Sequence, residues 1–200
     1  MEKAGSRRFG AVVILVADLS SHGLLSCQPT PHTYGHHMNI WLIADTHWGH
    51  ERLQVLAERP ADFGEQIIKN WRATVGMDDL VIHLGDVIWK RDSELKGVLE
   101  SLPGWKVLVR GNHDHQRTRW YMTRGFSFVC EMFVRKGVLF THVPFFPVLR
   151  DRFTANVHGH LHGGAEIRHT DEMDGVYDPS WHKLVALEHH YSPIRLEDVT

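Results

Sequence analysis

The sequence predicts an α/β protein, with a parallel sheet in its first half and a second sheet packed against it. Three observations predict this. Between residues 38 and 109, apolar runs of buried-strand length alternate with amphipathic helical stretches. Beyond about residue 125 the runs become short, β-branched and aromatic, separated by brief polar turns. The loops after these runs carry Asp45-Thr-His47, Gly85-Asp86, Gly111-Asn112-His113-Asp114 and Gly159-His160-Leu161-His162, and His142 ends a further run.

The elements follow in order. Ile40–Ala44 is a continuous apolar run, as a strand buried on both faces requires. Residues 62–75 read as a helix, because Phe63, Ile67, Trp71 and Val75 repeat every fourth position on one face. Asp62 and Glu65 are spaced as a capping box, and Gly76 stands where a left-handed helix stop is cheapest. Leu80–Leu84 is the second strand. Leu95, Val98, Leu99 and Leu102 give a short helix closed by Pro103-Gly104, and Lys106–Val109 is the third strand. This βαβαβ rhythm implies parallel strands joined by right-handed crossovers. Phe126–Val129, Met132–Val134, Val138–Thr141, Ala155–His158 and Lys183–Glu188 then form a mainly antiparallel or mixed sheet. No linker interrupts residues 38–200, which read as one domain.

Residues 1–37 do not fit this pattern. The run Ala11–Ala17 follows Arg7-Arg8 and superficially resembles a signal peptide, but it ends at Asp18, far short of a membrane span. The segment reads as an irregular extension or leader, with a peripheral strand at 11–17 as an alternative. Cys27 and Cys130, the 2 cysteines, exclude a disulfide framework and fit a reducing, cytoplasmic compartment. A formal charge of −2 gives no basic face for long duplex nucleic acid, and no membrane segment is expected. Contact with any small phosphate-bearing partner would have to come from local metal charge.

The 17 histidines matter because several lie in the loop motifs. Asp45, His47, Asp86, Asn112, His142, His160 and His162 are candidate metal ligands. Strand ends in an open α/β sheet deliver loops to a common cavity, and Gly85 and Gly111 permit the tight turns that aim the next side chain inward. A carboxylate such as Asp86 can bridge two ions, whereas an asparagine oxygen is a neutral donor. Nitrogen and oxygen donors without thiolates suit Mn²⁺ first, with Fe²⁺, Ni²⁺ or Zn²⁺ as alternatives.

In this order the motifs resemble those of the calcineurin-like metallophosphoesterase superfamily, over roughly residues 38–190. Trp48-Gly49-His50, Arg59-Pro60 and Asn70-Trp71 resemble a compact bacterial and phage-like branch of it. The resemblance implies a four-layer α/β/β/α sandwich with two mixed central sheets flanked by helices. It implies one metal on Asp45, His47, Asp86 and His162 and a second on Asp86, Asn112, His142 and His160, with His113 meeting the phosphoryl group. His142-Val143-Pro144 departs from a His-Tyr-Pro stretch common in compact relatives, so that tyrosine's substrate contact is absent.

The chemistry expected is phosphodiester hydrolysis by a hydroxide bridging two ions, with His113 as proton donor and Asp114 as its orienter. Asp114 can instead cap residues 115–123. His50 is placed for a phosphate contact or for starting the Glu51–Ala57 segment. Arg59 can reach substrate phosphate or pin a loop through a carboxylate. A nuclease or nucleotide phosphohydrolase is the alternative enzyme, and small phosphoesters or nucleotides are the expected partners. A non-catalytic metal-dependent scaffold is a third reading, against which the retained Asp86 and His113 count. His83 and His158 read as buried non-ligands. His36-His37, His182 and His189-His190 read as surface residues, Arg117 and Arg119 as a solvated face, and Trp105, Trp120 and Trp181 as packing.

Overall fold

A computed structural model describes residues 38–89, 93–146, 149–163 and 177–200. The readings for residues 1–37, Cys27 and His36-His37 included, and for the Leu95 side chain lie outside the described residues. β1 (Ile40–Ile43), β2 (Leu80–His83), β3 (Trp105–Val109) and β4 (Phe126–Cys130) run parallel, and β9 (Ile194–Arg195) pairs antiparallel with β1. The order is β4-β3-β2-β1-β9. The second sheet is β5-β6-β7-β8, from β5 (Phe133–Arg135), β6 (Val138–Thr141), β7 (Ala155–His158) and β8 (His182–Leu184).

Two faces of burial explain the apolar runs. In β1, Trp41 and Ile43 face the helices while Leu42 and Ala44 face the other sheet. The same alternation sends Val81 to the helices and Leu80, Ile82 and Leu84 between the sheets. The helical layer contains α2 (Phe63–Thr74), which buries Phe63, Ile67 and Trp71, and α3 (Ser93–Ser101), which contributes Leu99. On the far side of the second sheet, Val134, Leu139 and Trp181 are covered by Phe145, Leu149 and Phe153. The result is a four-layer α/β/β/α sandwich.

The second sheet is mixed, one of the two forms expected: β5–β6 is antiparallel, while β6, β7 and β8 are parallel. The β5–β6 hairpin is closed by Lys136 and Gly137, both left-handed, as a two-residue turn matched to strand twist demands. Several local expectations change. Asp62 makes no capping bond and instead accepts from Gln66 Nε2 at 2.9 Å. Gly76 is not among the left-handed glycines; its N–H donates to Asp79 Oδ2, so a carboxylate closes the helix end. Leu187–His189 is a single 3-10 turn rather than strand. Trp105 is 60% exposed and so is no packing residue, because it opens β3 at the sheet's rim. His182 is buried, accepting from Asp178 N–H and bonded through Nε2 to Phe145 O.

Candidate metal centre

The C-terminal ends of β1, β2 and β3 in one sheet and of β6 and β7 in the other deliver the loop motifs to one place. Backbone bonds zip the first two loops together: Asp45 N–H donates to Gly85 O and His47 N–H to Asp86 O, both at 2.9 Å. Asp45, His47, Asp86, His160 and His162 all have φ between 44° and 71°. Left-handed backbone is unfavourable for side chains with a Cβ, and its concentration at one cavity marks a functional site. Gly85 shares it at φ 95°, whereas Gly111 serves differently from expectation. Its φ is ordinary, but a Cβ there would collide with Asp86 Oδ1 and lie 2.5 Å from Asp86 N.

Two groups of donors result, Asp45 with His47 and His162, and Asp86 with His142 and His160. Within each, the donor atoms lie within 4.8 Å of one another. Asp86 Oδ2 is 3.4 Å from Nε2 of both His47 and His142, and so faces both groups. Asn112 Oδ1 is 2.8 Å from His142 Nε2, and His160 Nδ1 is 3.1 Å from it. All seven candidate ligands are thus brought together.

The arrangement of these donors fits cations. His142 Nδ1–H donates to Leu84 O at 2.7 Å, so Nε2 is left facing the oxygens of Asn112 and Asp86, where a metal ion can take the place of a proton. Acceptors converging on one point are stabilised by a positive ion. His162 Nδ1–H donates to Glu188 Oε1 at 2.8 Å, which likewise leaves Nε2 free to face Asp45. Asp45 Oδ1 is buried with no hydrogen-bond partner, while Oδ2 accepts from His160 N–H.

Charge within the cluster is polarised. Burial pushes Asp45 up to about 6, against the opposing pull of His142 and His162. Burial also works to raise Asp86, but the hydrogen bond and charge of His142 overcome it, and its carboxyl falls to about 2. Burial drives His47 down to about 3, keeping its imidazole neutral as a ligand requires.

Other candidates fall differently. Asp114 does not orient His113, nor does it cap α4 (Thr118–Met122), whose N-cap is Arg117. Its Oδ2 accepts from Asp86 N–H and Gly111 N–H, both at 2.8 Å, and its Oδ1 from Val87 N–H and Tyr121 OH. It braces the metal loops instead, because its side chain turns back onto their amides. Of the two readings open for Arg59, the pairing with a carboxylate is the one displayed: its Nε donates to Glu188 at 2.9 Å, and the side chain is fully buried. His113 is 37% exposed, 4.0 Å from Asp86 Oδ2, with its backbone N–H donating to Asp86 Oδ1. His50 begins the turn before α1 (Leu53–Leu56) and stacks on Trp89, with 3.8 Å between ring centroids.

His83 is a core residue with a defined tautomer. Nδ1 accepts from Gly85 N–H, so Nε2–H donates to Thr46 Oγ1, whose own proton goes to Val87 O. His158 is fully buried outside both groups, and Arg117, Arg119, His189 and His190 are exposed. Glu188 and Trp89 were missed by motif reading. Glu188 follows an apolar stretch with no local signature, whereas Trp89, an aromatic just beyond Gly85-Asp86, was a usable signal.

Known proteins resemble this chain. An uncharacterised protein of Methanocaldococcus jannaschii is 29% identical over 168 residues, covering 79% of this chain and 87% of its own. A protein of unknown function from Aquifex aeolicus superposes with a TM-score of 0.65 at 23% identity, over 81% of this chain and 97% of that one. The nuclease MPE structure from Pseudomonas putida gives a TM-score of 0.45 at 19% identity, over 62% of this chain and 61% of the other. Residues 38–198 match the family model described as calcineurin-like phosphoesterase, and the chain belongs to that family of metal-dependent hydrolases.

Proposed function

We propose that the protein hydrolyses phosphodiesters at this centre, with Mn²⁺ the first choice of metal and Fe²⁺, Ni²⁺ or Zn²⁺ as substitutes. The observation that carries this reading is the shared carboxylate, Asp86 Oδ2 at 3.4 Å from one histidine of each donor group. Asp45, His47, Asp86 and His162 would hold one divalent cation, and Asp86, Asn112, His142 and His160 a second; such a pair would supply positive charge for phosphoryl oxygens and lower the pKa of bound water. His113 stands at the mouth of the site and gives its proton to the leaving-group oxygen. The diester preference follows from the cations left over. Arg59 is committed to Glu188, and Arg110 donates to the backbone oxygens of Asp114 and Gln116. A monoester dianion repels an attacking hydroxide, so its turnover, as distinct from its binding, calls for more positive charge than that leaves.

The proposal extends to the compact bacterial and phage-like branch, on Trp48-Gly49-His50, to a domain of residues 38–200 with 1–37 as an extension, and to a cytoplasmic setting. Among the described residues no helix is long and apolar enough to cross a membrane.

Metal-loaded protein should turn over bis-p-nitrophenyl phosphate faster than p-nitrophenyl phosphate. Equal or faster monoester turnover would remove the diester preference, and no turnover of either with two metals bound would remove the hydrolase reading. His113→Ala should keep both metals and lose kcat by roughly 10²–10⁴-fold, less for the best leaving groups. A loss independent of leaving group would show that His113 is not the proton donor.

A further inference from the structure

We propose that Trp89 is a base-stacking platform, so that the phosphodiester this centre accepts carries a nucleobase. The proposal rests on the phosphodiester reading for its substrate class, but on separate residues for its recognition. Trp89 follows the Asp86 loop and its main chain is anchored: its backbone N–H donates to Trp48 O at 3.0 Å, next to the bridge between Trp48 and Ile88. One face of its indole is covered by His50, with centroids 3.8 Å apart and planes within 5°. Yet 44% of the residue stays exposed. With His50 stacked on one face, the indole keeps enough free surface for a second flat ring to reach it.

The ring adjoins the reacting groups. His113 packs T-shaped against the indole with centroids 4.8 Å apart, and the His47 ring lies 6.1 Å away. A rigid, preformed aromatic plane beside the metal ligands suits a flat ring joined to the phosphate through a sugar. Such stacking needs no sequence-specific contact, because every base has a π-face. The rings also lead somewhere. His115 lies 6.3 Å beyond His113 and lines an open cleft with Arg110, Gln116 and Arg117. This cleft reaches Gly111, next to the ligand Asn112. Arg110 is paired there with Glu131 at 3.5 Å, and the exposed Arg117 is the cation that suits the continuation of a nucleotide past the scissile phosphate.

The decisive comparison is binding of adenosine 5′-monophosphate against ribose 5-phosphate to the metal-loaded protein, by calorimetry. Both carry the same phosphate and sugar, and they differ only in the base. The wild type should bind the nucleotide roughly 10-fold more tightly or better, as one stacked base provides. Trp89→Ala should bring that ratio close to one while ribose 5-phosphate binds as before, and Trp89→Phe should retain most of the preference. Equal binding of the two ligands by the wild type would overturn the proposal, as would failure of the nucleotide to bind at millimolar concentration. So would an equal loss for both ligands in Trp89→Ala, because Trp89 would then only support His50 and His113. This readout does not require turnover. A nucleotide preference without diester cleavage would sink the phosphodiesterase reading and keep the platform, and diester cleavage without the preference would do the reverse.

Discussion

Glu188 fixes the orientation of the His162 ring. Its Oε1 accepts from His162 Nδ1 and from Arg59, and its Oε2 from Gly163 N–H. Burial works to protonate this carboxylate, but the hydrogen bond from His162 and the charge of Arg59 overcome it and hold it at about 2. The carboxylate thus stays charged, fixes the His162 tautomer and increases the basicity of Nε2. Glu188→Gln should weaken one metal equivalent by roughly 10–100-fold while sparing the second. It also leaves Arg59 buried without its counter-charge, at a cost of about 3–5 kcal/mol. Metal titration resolves the first effect and denaturant unfolding the second. Unchanged affinity for both equivalents would remove Glu188 from the metal site's support.

Between elements, Asp79 is the equivalent device at the opposite end of the strands, where β1 and β2 begin. Its Oδ1 accepts from Asn39 N–H and its Oδ2 from Trp41 Nε1 and Gly76 N–H, which joins the start of β1 to the end of α2. Burial opposes the charged form, yet the bond from Trp41 and the two backbone bonds win, and the folded pKa lies below its ordinary value of 3.8. A depressed carboxyl pKa contributes stability that is fully present above the unfolded value and is lost as pH falls through the folded one. Asp79→Ala should therefore cost about 1–3 kcal/mol at neutral pH, and the gap from wild type should narrow below about pH 4. Urea unfolding at pH 7 and pH 3 checks both parts; a gap that stays constant would rule out the charged carboxylate as its source.

For the whole molecule, the donor set joins loops from both sheets, with Asp45, Asp86 and Asn112 from one and His142, His160 and His162 from the other. Ions bound there would hold the two sheets together at one end of their common core. Free metal at 1,000 times its Kd should stabilise the fold by about 4 kcal/mol, a rise in Tm of roughly 8–16 °C. Calorimetry before and after chelation measures it. If Tm did not move although metal analysis showed loading and then removal, the ions would be binding folded and unfolded chain alike, and this cluster would not be their site.

The sequence by itself determined the apolar runs that become strands, the four-residue repeat of Phe63, Ile67 and Trp71, and the order of the loop motifs. Each of these is local, because strand and helix periods and donor chemistry are written in neighbouring residues. Whether an acidic side chain faces a ring, an amide or a cation is decided over distance. Asp114 turned to the amides of Asp86 and Gly111, His182 went inside to meet Phe145 O, and Asp62 left its helix amides uncapped. Arg59 and Glu188 are 129 residues apart, and no local pattern announces such a pair. The tertiary structure settled these because a polar group taken out of water must find its partner wherever folding puts one, and periodicity does not encode that position.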